Sequence, residues 1–335
     1  MSLRKNIEEI SLYRSELMTF AALGIFVMHV ICEKMFSLGS ALDRLLVMYG
    51  STGVDVFLFV SGMGCFCSLK KDSSHPVAWI KRRILKVYIP YLMITLCFLT
   101  ILPVHSLEVL LLKISGLYFW FLGNDGTWFV SFIILMYLIS PLLYNLLNRK
   151  TESASCLTFG GILLLSILLI GVFAKIFPAY YALVGIGVTR IPSFITGMWL
   201  GYLVVYNKQF KLKYILLFGI LAVIEFLANF PDSSFMSLLF KSCRSFVIMY
   251  LELWLFSWGA KHFTKCIKII KKKCISKITL EFYLIHLLAI SVFRAYPVKW
   301  NDWYTLPFFA VSLLLSFIVK SIAEVIYKKA INDRF

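Results

Sequence analysis

Runs of about 20 predominantly apolar residues recur along the whole chain, and they constrain its fold more than any other feature. A helix needs that length to cross a bilayer core about 30 Å thick. The sequence therefore predicts an all-α fold, a polytopic transmembrane helix bundle of about ten spans, with residues 1–335 forming a single membrane domain and no soluble domain. The predicted spans are 14–32, 51–68, 85–103, 128–147, 157–177, 191–206, 212–230, 235–258, 278–296 and 304–327.

The composition excludes a water-soluble globular enzyme. Hydrophobic residues make up 60% of the chain and charged residues 15%, against about 45–50% and about 25% in soluble domains. The net charge of +17 would suggest nucleic acid in a soluble protein. Lysine and arginine at the ends of membrane helices need no such partner, so we expect a lipid bilayer and no nucleic acid.

The distribution of lysine and arginine predicts the orientation, because cytoplasmic loops are enriched in these residues. Basic residues concentrate in 68–88, 207–213, 259–277 and the C-terminal tail, and they are sparse near 33–50, 178–190, 231–234 and 297–303. An even number of spans must separate two cytoplasmic loops. The apolar stretch 106–122 is therefore predicted to be re-entrant or interfacial, and both termini are predicted to be cytoplasmic.

Ionisable side chains inside predicted spans are candidates for function, because burying them in a bilayer is costly. His29 lies in the first span, Asp55 in the second and His286 in the ninth; Glu225 and Glu252 are further intramembrane charges. The eight cysteines show neither zinc-ligand spacing nor a secreted disulfide framework, and no metal site is expected.

Six short motifs, in order along most of the chain, resemble the acyltransferase-3 family of integral membrane O-acyltransferases. The most specific is Gly53-Val-Asp55-x-Phe57 followed by Ser61-Gly62. The others are a histidine near the end of the first span, Lys81-Arg82-Arg83-Ile-Leu-Lys86, Trp128-Phe129-Val-Ser131, Arg190-Ile-Pro-Ser-Phe194 and Tyr283-Leu-Ile-His286.

Two positions depart from the family pattern. Met18 stands where the family usually has an arginine eleven residues before the first-span histidine, and Arg14 lies one helical turn earlier. Lys86 stands where the family has the second arginine of a basic pair. Lysine keeps the charge but lacks the planar fork that suits phosphate.

The resemblance implies transfer of an acyl group from acyl-CoA, with acetyl-CoA expected as donor, to a hydroxyl of a cell-surface glycan or its lipid-linked precursor. The expected location is the cytoplasmic membrane of a bacterium. Histidine can remove the hydroxyl proton near neutral pH, so His29 is the expected base, with Asp55 orienting or stabilising its ring. Ser61 and His286 are further candidate catalytic residues, and Arg82, Arg83 and Lys86 are expected to anchor CoA at the cytoplasmic side.

Simpler interpretations stay open for each residue. Either histidine could be packed against a neighbouring helix, and Asp55 could cap the outer end of the second helix. Ser61 and Gly62, like Gly197-x-x-x-Gly201, could serve close helix packing, and the basic residues could set topology alone. At the level of function, the alternatives are a non-enzymatic carrier of a lipid-linked glycan or solute, and an inactive family member. We expect the chain either to complete the transfer alone or to act with a separate envelope-modification partner.

Overall fold

A computed structural model describes residues 12–102, 106–123, 126–208, 219–220, 235–262, 277–296 and 301–332, and these residues form helices without any strand. The all-α class is thus confirmed for the described part of the chain. A 3-10 turn, Asp302–Tyr304, precedes the last helix. The helices are α1 Arg14–Cys32, α2 Ser40–Asp72, α3 Pro76–Ile101, α4 Leu107–Ser115, α5 Tyr118–Leu122, α6 Trp128–Leu147, α7 Glu152–Ile176, α8 Pro178–Val188, α9 Ile191–Val205, α10 Phe235–His262, α11 Thr279–Ala295 and α12 Thr305–Asn332.

Within the described residues, seven helical segments are long and apolar enough to cross a membrane. They correspond to the predicted spans at 14–32, 51–68, 85–103, 128–147, 157–177, 191–206 and 304–327. Helices α10 and α11 coincide with two further predicted spans but are not among the seven, and the 17 residues of α11 extend only about 26 Å. The predicted span 212–230, with Glu225, lies outside the described residues except for 219–220. The count of ten and the cytoplasmic termini stay predictions.

The ambiguous stretch 106–122 forms two short helices, α4 and α5, separated at Gly116. Gly116 adopts a φ of 73°, a left-handed conformation that ends helices readily because glycine has no β-carbon. The 9 residues of α4 rise only about 14 Å, so neither helix can cross a bilayer, in line with the predicted non-spanning segment.

Two predicted connections are largely helical. Residues 178–188 form α8 instead of an irregular outer loop, and Pro178 occupies the start of that helix, where its missing N–H costs nothing. The predicted connection 33–50 is replaced from Ser40 onward by the first turns of α2. The first turns of α2 were not predicted because they mix polar and apolar residues, and α8 was not predicted because its 11 residues are too few for a span.

One compact unit comprises described residues of Met1–Ala21, Ser51–Ser74 and Ile139–Lys277. In it, α2 and α9 approach closely through glycines. A β-carbon on Gly197 would overlap the backbone of Phe59, and one on Gly62 would lie 2.8 Å from the backbone nitrogen of Met198. On Gly201 it would lie 2.6 Å from Cβ of Phe66. The packing role predicted for these glycines is confirmed.

A second compact unit comprises described residues of Ala22–Gly50, His75–Leu138 and Ile278–Phe335. Helices α3, α11 and α12 pack against one another in it, and the end of α1 joins them. Helix α4 is tied to α3 by tyrosine hydroxyls, which donate hydrogen bonds from Tyr88 to the carbonyl of Ile114 and from Tyr91 to that of Lys113, both at 2.6 Å. This unit holds both candidate histidines.

Candidate active site

His29 and His286 lie side by side and form a hydrogen-bonded pair, called here the histidine pair. Nδ1 of His29 is 2.9 Å from Nε2 of His286. His29 occupies the last turn of α1 and is half-buried, whereas His286 lies in the middle of α11 and is fully buried. The other ring nitrogen of His286, Nδ1, is 2.7 Å from the carbonyl oxygen of Phe282.

These contacts determine which nitrogen of each ring carries a proton. The Phe282 carbonyl can only accept a hydrogen bond, so Nδ1 of His286 must be the donor. A neutral imidazole has one N–H, which makes Nε2 of His286 an acceptor, and Nδ1 of His29 must then donate to it. Two cationic rings at this distance would repel each other. The remaining nitrogen of His29, Nε2, therefore carries a lone pair, and it makes no hydrogen bond within the described part of the chain.

Aromatic side chains enclose the fully buried ring of His286. The ring centroids of Phe282, Phe26 and Tyr283 lie 5.4, 5.6 and 5.9 Å from that of His286. The Tyr283 hydroxyl is itself anchored by a 2.6 Å hydrogen bond to the carbonyl of Gly126. An apolar surround of this kind removes water and strengthens the hydrogen bonds inside it.

An ion pair joins the ends of the same two helices beyond the histidines. Arg294, two turns after His286 on α11, donates through Nε and Nη2 to both carboxylate oxygens of Glu33, one turn after His29. The hydrogen bond from Arg294 holds the pKa of Glu33 below its usual range. A bidentate pair of this type sets orientation as well as distance, so it holds the end of α1 against α11.

Asp55 is the centre of a second buried polar cluster, in the unit that contains α2 and α9. Its carboxylate accepts hydrogen bonds from Nη1 of Arg190 at 2.5 Å, from the hydroxyl of Ser193 at 2.7 Å and from that of Ser245 at 2.9 Å. Asp55 is 2% exposed, so these partners compensate the cost of burying its charge. The cluster links α2, α9 and α10.

The structure overturns one interpretation of Asp55. Helix α2 begins at Ser40, about four turns before Asp55, so this carboxylate lies in the interior of the helix and does not cap its outer end. Its predicted role in orienting His29 stays a prediction. The hydrogen-bond partner of His29 within the described residues is His286.

The basic residues predicted to bind CoA lie near the start of α3. Arg82 and Arg83 are half-buried and Lys86 is exposed. The Arg83 guanidinium stacks 5.4 Å from the ring of Trp79, which keeps its charge near the helix surface. Lys86 lines a cavity between α3, α11 and α12. Their contact with CoA stays a prediction.

A model of the acyltransferase-3 family, described as an acyltransferase domain, matches residues 19–323 of the chain. This match covers nearly the whole sequence and includes every candidate site residue. The chain belongs to the acyltransferase-3 family. No curated protein and no solved structure was found to match it.

Family membership makes the protein a membrane acyltransferase and confirms the resemblance inferred from the six motifs. The remaining candidate, Ser61, is half-buried on α2 and makes no side-chain hydrogen bond with the described residues. Its neighbour Gly62 packs against α9. No group of three histidine, cysteine or acidic side chains within the described ranges is arranged to hold a metal ion.

Several residues of this acyltransferase's polar sites were not singled out in the sequence. Glu33 and Arg294 each lie at the edge of a predicted span, where charged residues are common. The one available signal was the four-residue spacing from His29 to Glu33, which places these two side chains on the same helix face. Ser193 lies within the motif that runs from Arg190 to Phe194, but the sequence assigns it no role. Ser245 carries no sequence signal, because a serine in an apolar helix is common and its partner is visible only in three dimensions.

Proposed function

We propose that this acyltransferase moves an acetyl or other small acyl group from acyl-CoA to a hydroxyl of a cell-surface glycan or of its lipid-linked precursor, in the cytoplasmic membrane of a bacterium. The observation that carries the proposal is the lone pair on Nε2 of His29. Acyl transfer to a hydroxyl needs a base that removes the proton as the oxygen attacks, and the hydrogen bonds of the histidine pair leave this nitrogen available for that task.

The proposed reaction proceeds in two proton transfers. The hydroxyl oxygen attacks the thioester carbonyl while its proton passes to Nε2 of His29. The carbon–sulfur bond then breaks, and the same nitrogen returns the proton to the departing thiolate, which gives the acyl ester and CoA with a free thiol. Between these steps His29 is an imidazolium, and its Nδ1–H remains hydrogen-bonded to Nε2 of His286.

His286 acts in this proposal as a positioning residue. Because the Phe282 carbonyl holds its Nδ1–H, His286 can offer only an acceptor to His29. That acceptor orients the ring of His29 and stabilises its charged form, a task that a carboxylate performs in many other histidine bases. A neutral acceptor suits an apolar surround, where a second buried charge would be costly.

The donor would be held from the cytoplasmic side. Arg82, Arg83 and Lys86 lie in the segment predicted to face the cytoplasm, where coenzyme A is found, and cationic side chains bind its phosphates through charge-assisted hydrogen bonds. The acceptor would then approach the histidine pair from the opposite side of the membrane.

The test compares His29→Ala with His75→Ala, a matched control at an exposed histidine preceding α3. Mass analysis of surface glycans from cells that express each protein at equal membrane levels measures the acylated fraction. We expect His29→Ala to lose at least about 100-fold in transfer rate, the lower range for a general base, while His75→Ala matches the wild type. Unchanged acylation in His29→Ala, or solute transport by the wild type without acylation, would overturn the proposal.

A further inference from the structure

A cavity of ≈ 260 Å³ lies between the third and fourth turns of α3, the start of α11 and the second half of α12. Five charged side chains line its walls. Lys86 comes from α3, Glu281 from α11, and Lys320, Glu324 and Lys328 from α12, which also contributes Tyr327. Intramembrane and near-membrane charges of this kind indicate a functional site.

Lys320 is held at the wall of this cavity by acidic neighbours without being tightly bound to either. Its Nζ lies 3.4 Å from Oε1 of buried Glu281 and 3.7 Å from Oε1 of Glu324. Charge-assisted hydrogen bonds are usually about 2.7–2.9 Å long, so the ammonium group retains donor capacity. The Glu324 side chain is 57% exposed, and solvent screens much of its charge.

The other lysines make the cavity attractive to an anion. Lys328 is exposed at the rim and makes no hydrogen bond or ion pair with the described residues. Arg82 lies one turn before Lys86 on the same face of α3. The lining thus contains three lysines and two carboxylates. One of these carboxylates, that of buried Glu281, serves mainly as a counter-ion that positions Lys320.

The size and the position of the cavity limit which ligands it can bind. Pockets for complete drug-sized ligands measure about 300–1,000 Å³, so a cavity of ≈ 260 Å³ holds a group of the size of a diphosphate and leaves the rest of a larger molecule outside. Glu281 precedes His286 by five residues on α11, which is about 8 Å along the helix axis. A ligand bound by its phosphates at this cavity would lie within one molecule's length of the histidine pair.

We propose that this cavity, lined by Lys86, Lys320, Lys328 and Tyr327, binds a phosphate-bearing group. In the proposed reaction that group is the diphosphate of the acyl-CoA donor, so this identity rests on the proposed function. The C-terminal helix α12 thereby completes an anion site to which the basic segment of α3 contributes only Lys86. The headgroup of an anionic lipid also carries a phosphate and is the alternative source of the bound group.

The experiment measures coenzyme A binding by calorimetry to the full-length protein in phosphatidylcholine nanodiscs. Lys328→Gln removes a cation from the cavity, and Lys329→Gln removes the adjacent cation, which is also exposed but does not line it. We expect Lys328→Gln to weaken binding about fivefold, as for one exposed charge-assisted hydrogen bond, and Lys329→Gln to stay within about twofold of the wild type.

A third variant reverses the sign of the effect. Glu324→Gln removes an exposed carboxylate from the lining and should tighten coenzyme A binding about twofold, because the local anion repulsion is reduced. Misfolding cannot produce tighter binding, so this variant separates the charge of the cavity from damage to the structure.

A second arm identifies the source of the phosphate. In nanodiscs that contain about a third phosphatidylglycerol, native mass spectrometry measures retained lipid. Loss of retained phosphatidylglycerol in Lys328→Gln, but not in Lys329→Gln, with unchanged coenzyme A affinity would assign the site to lipid. Equal behaviour of Lys328→Gln and Lys329→Gln in both arms would overturn the cavity site. If the wild type itself failed to bind coenzyme A, the proposed function would fail instead.

Discussion

At the scale of single residues, the direction of the hydrogen bonds in the histidine pair matters more than the presence of two histidines. The carbonyl of Phe282 fixes the proton on Nδ1 of His286, and this proton in turn fixes the tautomer of His29. One main-chain oxygen thus determines which nitrogen of the proposed base is available.

His286→Phe should lower kcat about 100-fold and leave the KM for acyl-CoA unchanged, because it removes the acceptor that orients His29 without touching the donor site. His286→Gln should recover part of that loss, since its amide oxygen can replace Nε2 as the acceptor. Initial-rate kinetics on both variants check this expectation. Equal losses in the two variants, or a change confined to KM, would show that His286 only fills space.

At the scale of helices, two devices hold the elements in place: an ion pair between α1 and α11, and glycine-mediated packing between α2 and α9. The first contributes little energy because Arg294 is mostly exposed, and such pairs are worth about 0–1 kcal/mol. The second depends on the absence of β-carbons where the helix backbones approach each other.

The Glu33–Arg294 pair should make stability depend on pH in one direction. The pKa of Glu33 is lowered in the folded protein by the hydrogen bond from Arg294, so the carboxylate stabilises the fold above its unfolded pKa. This contribution is lost as pH falls through the lowered folded pKa. Glu33→Gln should therefore lower Tm slightly at pH 7, and the difference from wild type should shrink as pH falls below the ordinary glutamate pKa and vanish once pH is below the lowered folded pKa. A difference that grows toward acid pH would contradict the assignment.

Gly197→Ala should destabilise the protein by about 1–3 kcal/mol, as expected for overpacking, because its new β-carbon meets the backbone of Phe59. Gly160→Ala on α7 is the matched control, since nothing lies within 4 Å of a β-carbon there and alanine favours a helix over glycine. Thermal unfolding of the purified proteins in detergent compares the two. Tm shifts of equal sign and size would refute close packing at Gly197.

At the scale of the whole molecule, the basic residues predict the orientation of the chain in the membrane. The turn between α2 and α3 is flanked by Lys70, Lys71 and Lys81, whereas the turn between α1 and α2 carries few positive charges. Because cytoplasmic loops are enriched in lysine and arginine, we expect the turn between α2 and α3 to face the cytoplasm and the turn between α1 and α2 to face the outside.

Cysteine labelling in intact cells tests this orientation. In a cysteine-free background, Leu38→Cys lies at an exposed position of the turn between α1 and α2, and His75→Cys at an exposed position of the turn between α2 and α3. We expect a membrane-impermeant maleimide to label Leu38→Cys in intact cells, and His75→Cys only after permeabilisation. The reverse pattern would invert the topology and place the basic segment of α3 away from cytosolic CoA.

The helices were predicted well where the hydrophobic run was long and uninterrupted. The run 128–147 coincides with α6, because an apolar segment in a bilayer must satisfy its backbone hydrogen bonds internally and does so as a helix. Helix α8 was not predicted, because its 11 residues are too few to register as a span. The motifs also indicated the family, which the match over residues 19–323 confirms.

The sequence by itself determined that this protein is a helical membrane acyltransferase and that His29, Asp55 and His286 are unusual charges or bases within it, because apolar length and the cost of burying polar groups are local properties. Only the tertiary structure decided the partners. It joined His29 to His286 across 257 residues and Asp55 to Ser245 across 190 residues, and it placed Lys320 beside Glu281. Hydrogen bonds act over about 3 Å, and such distances between remote residues depend on how the helices pack.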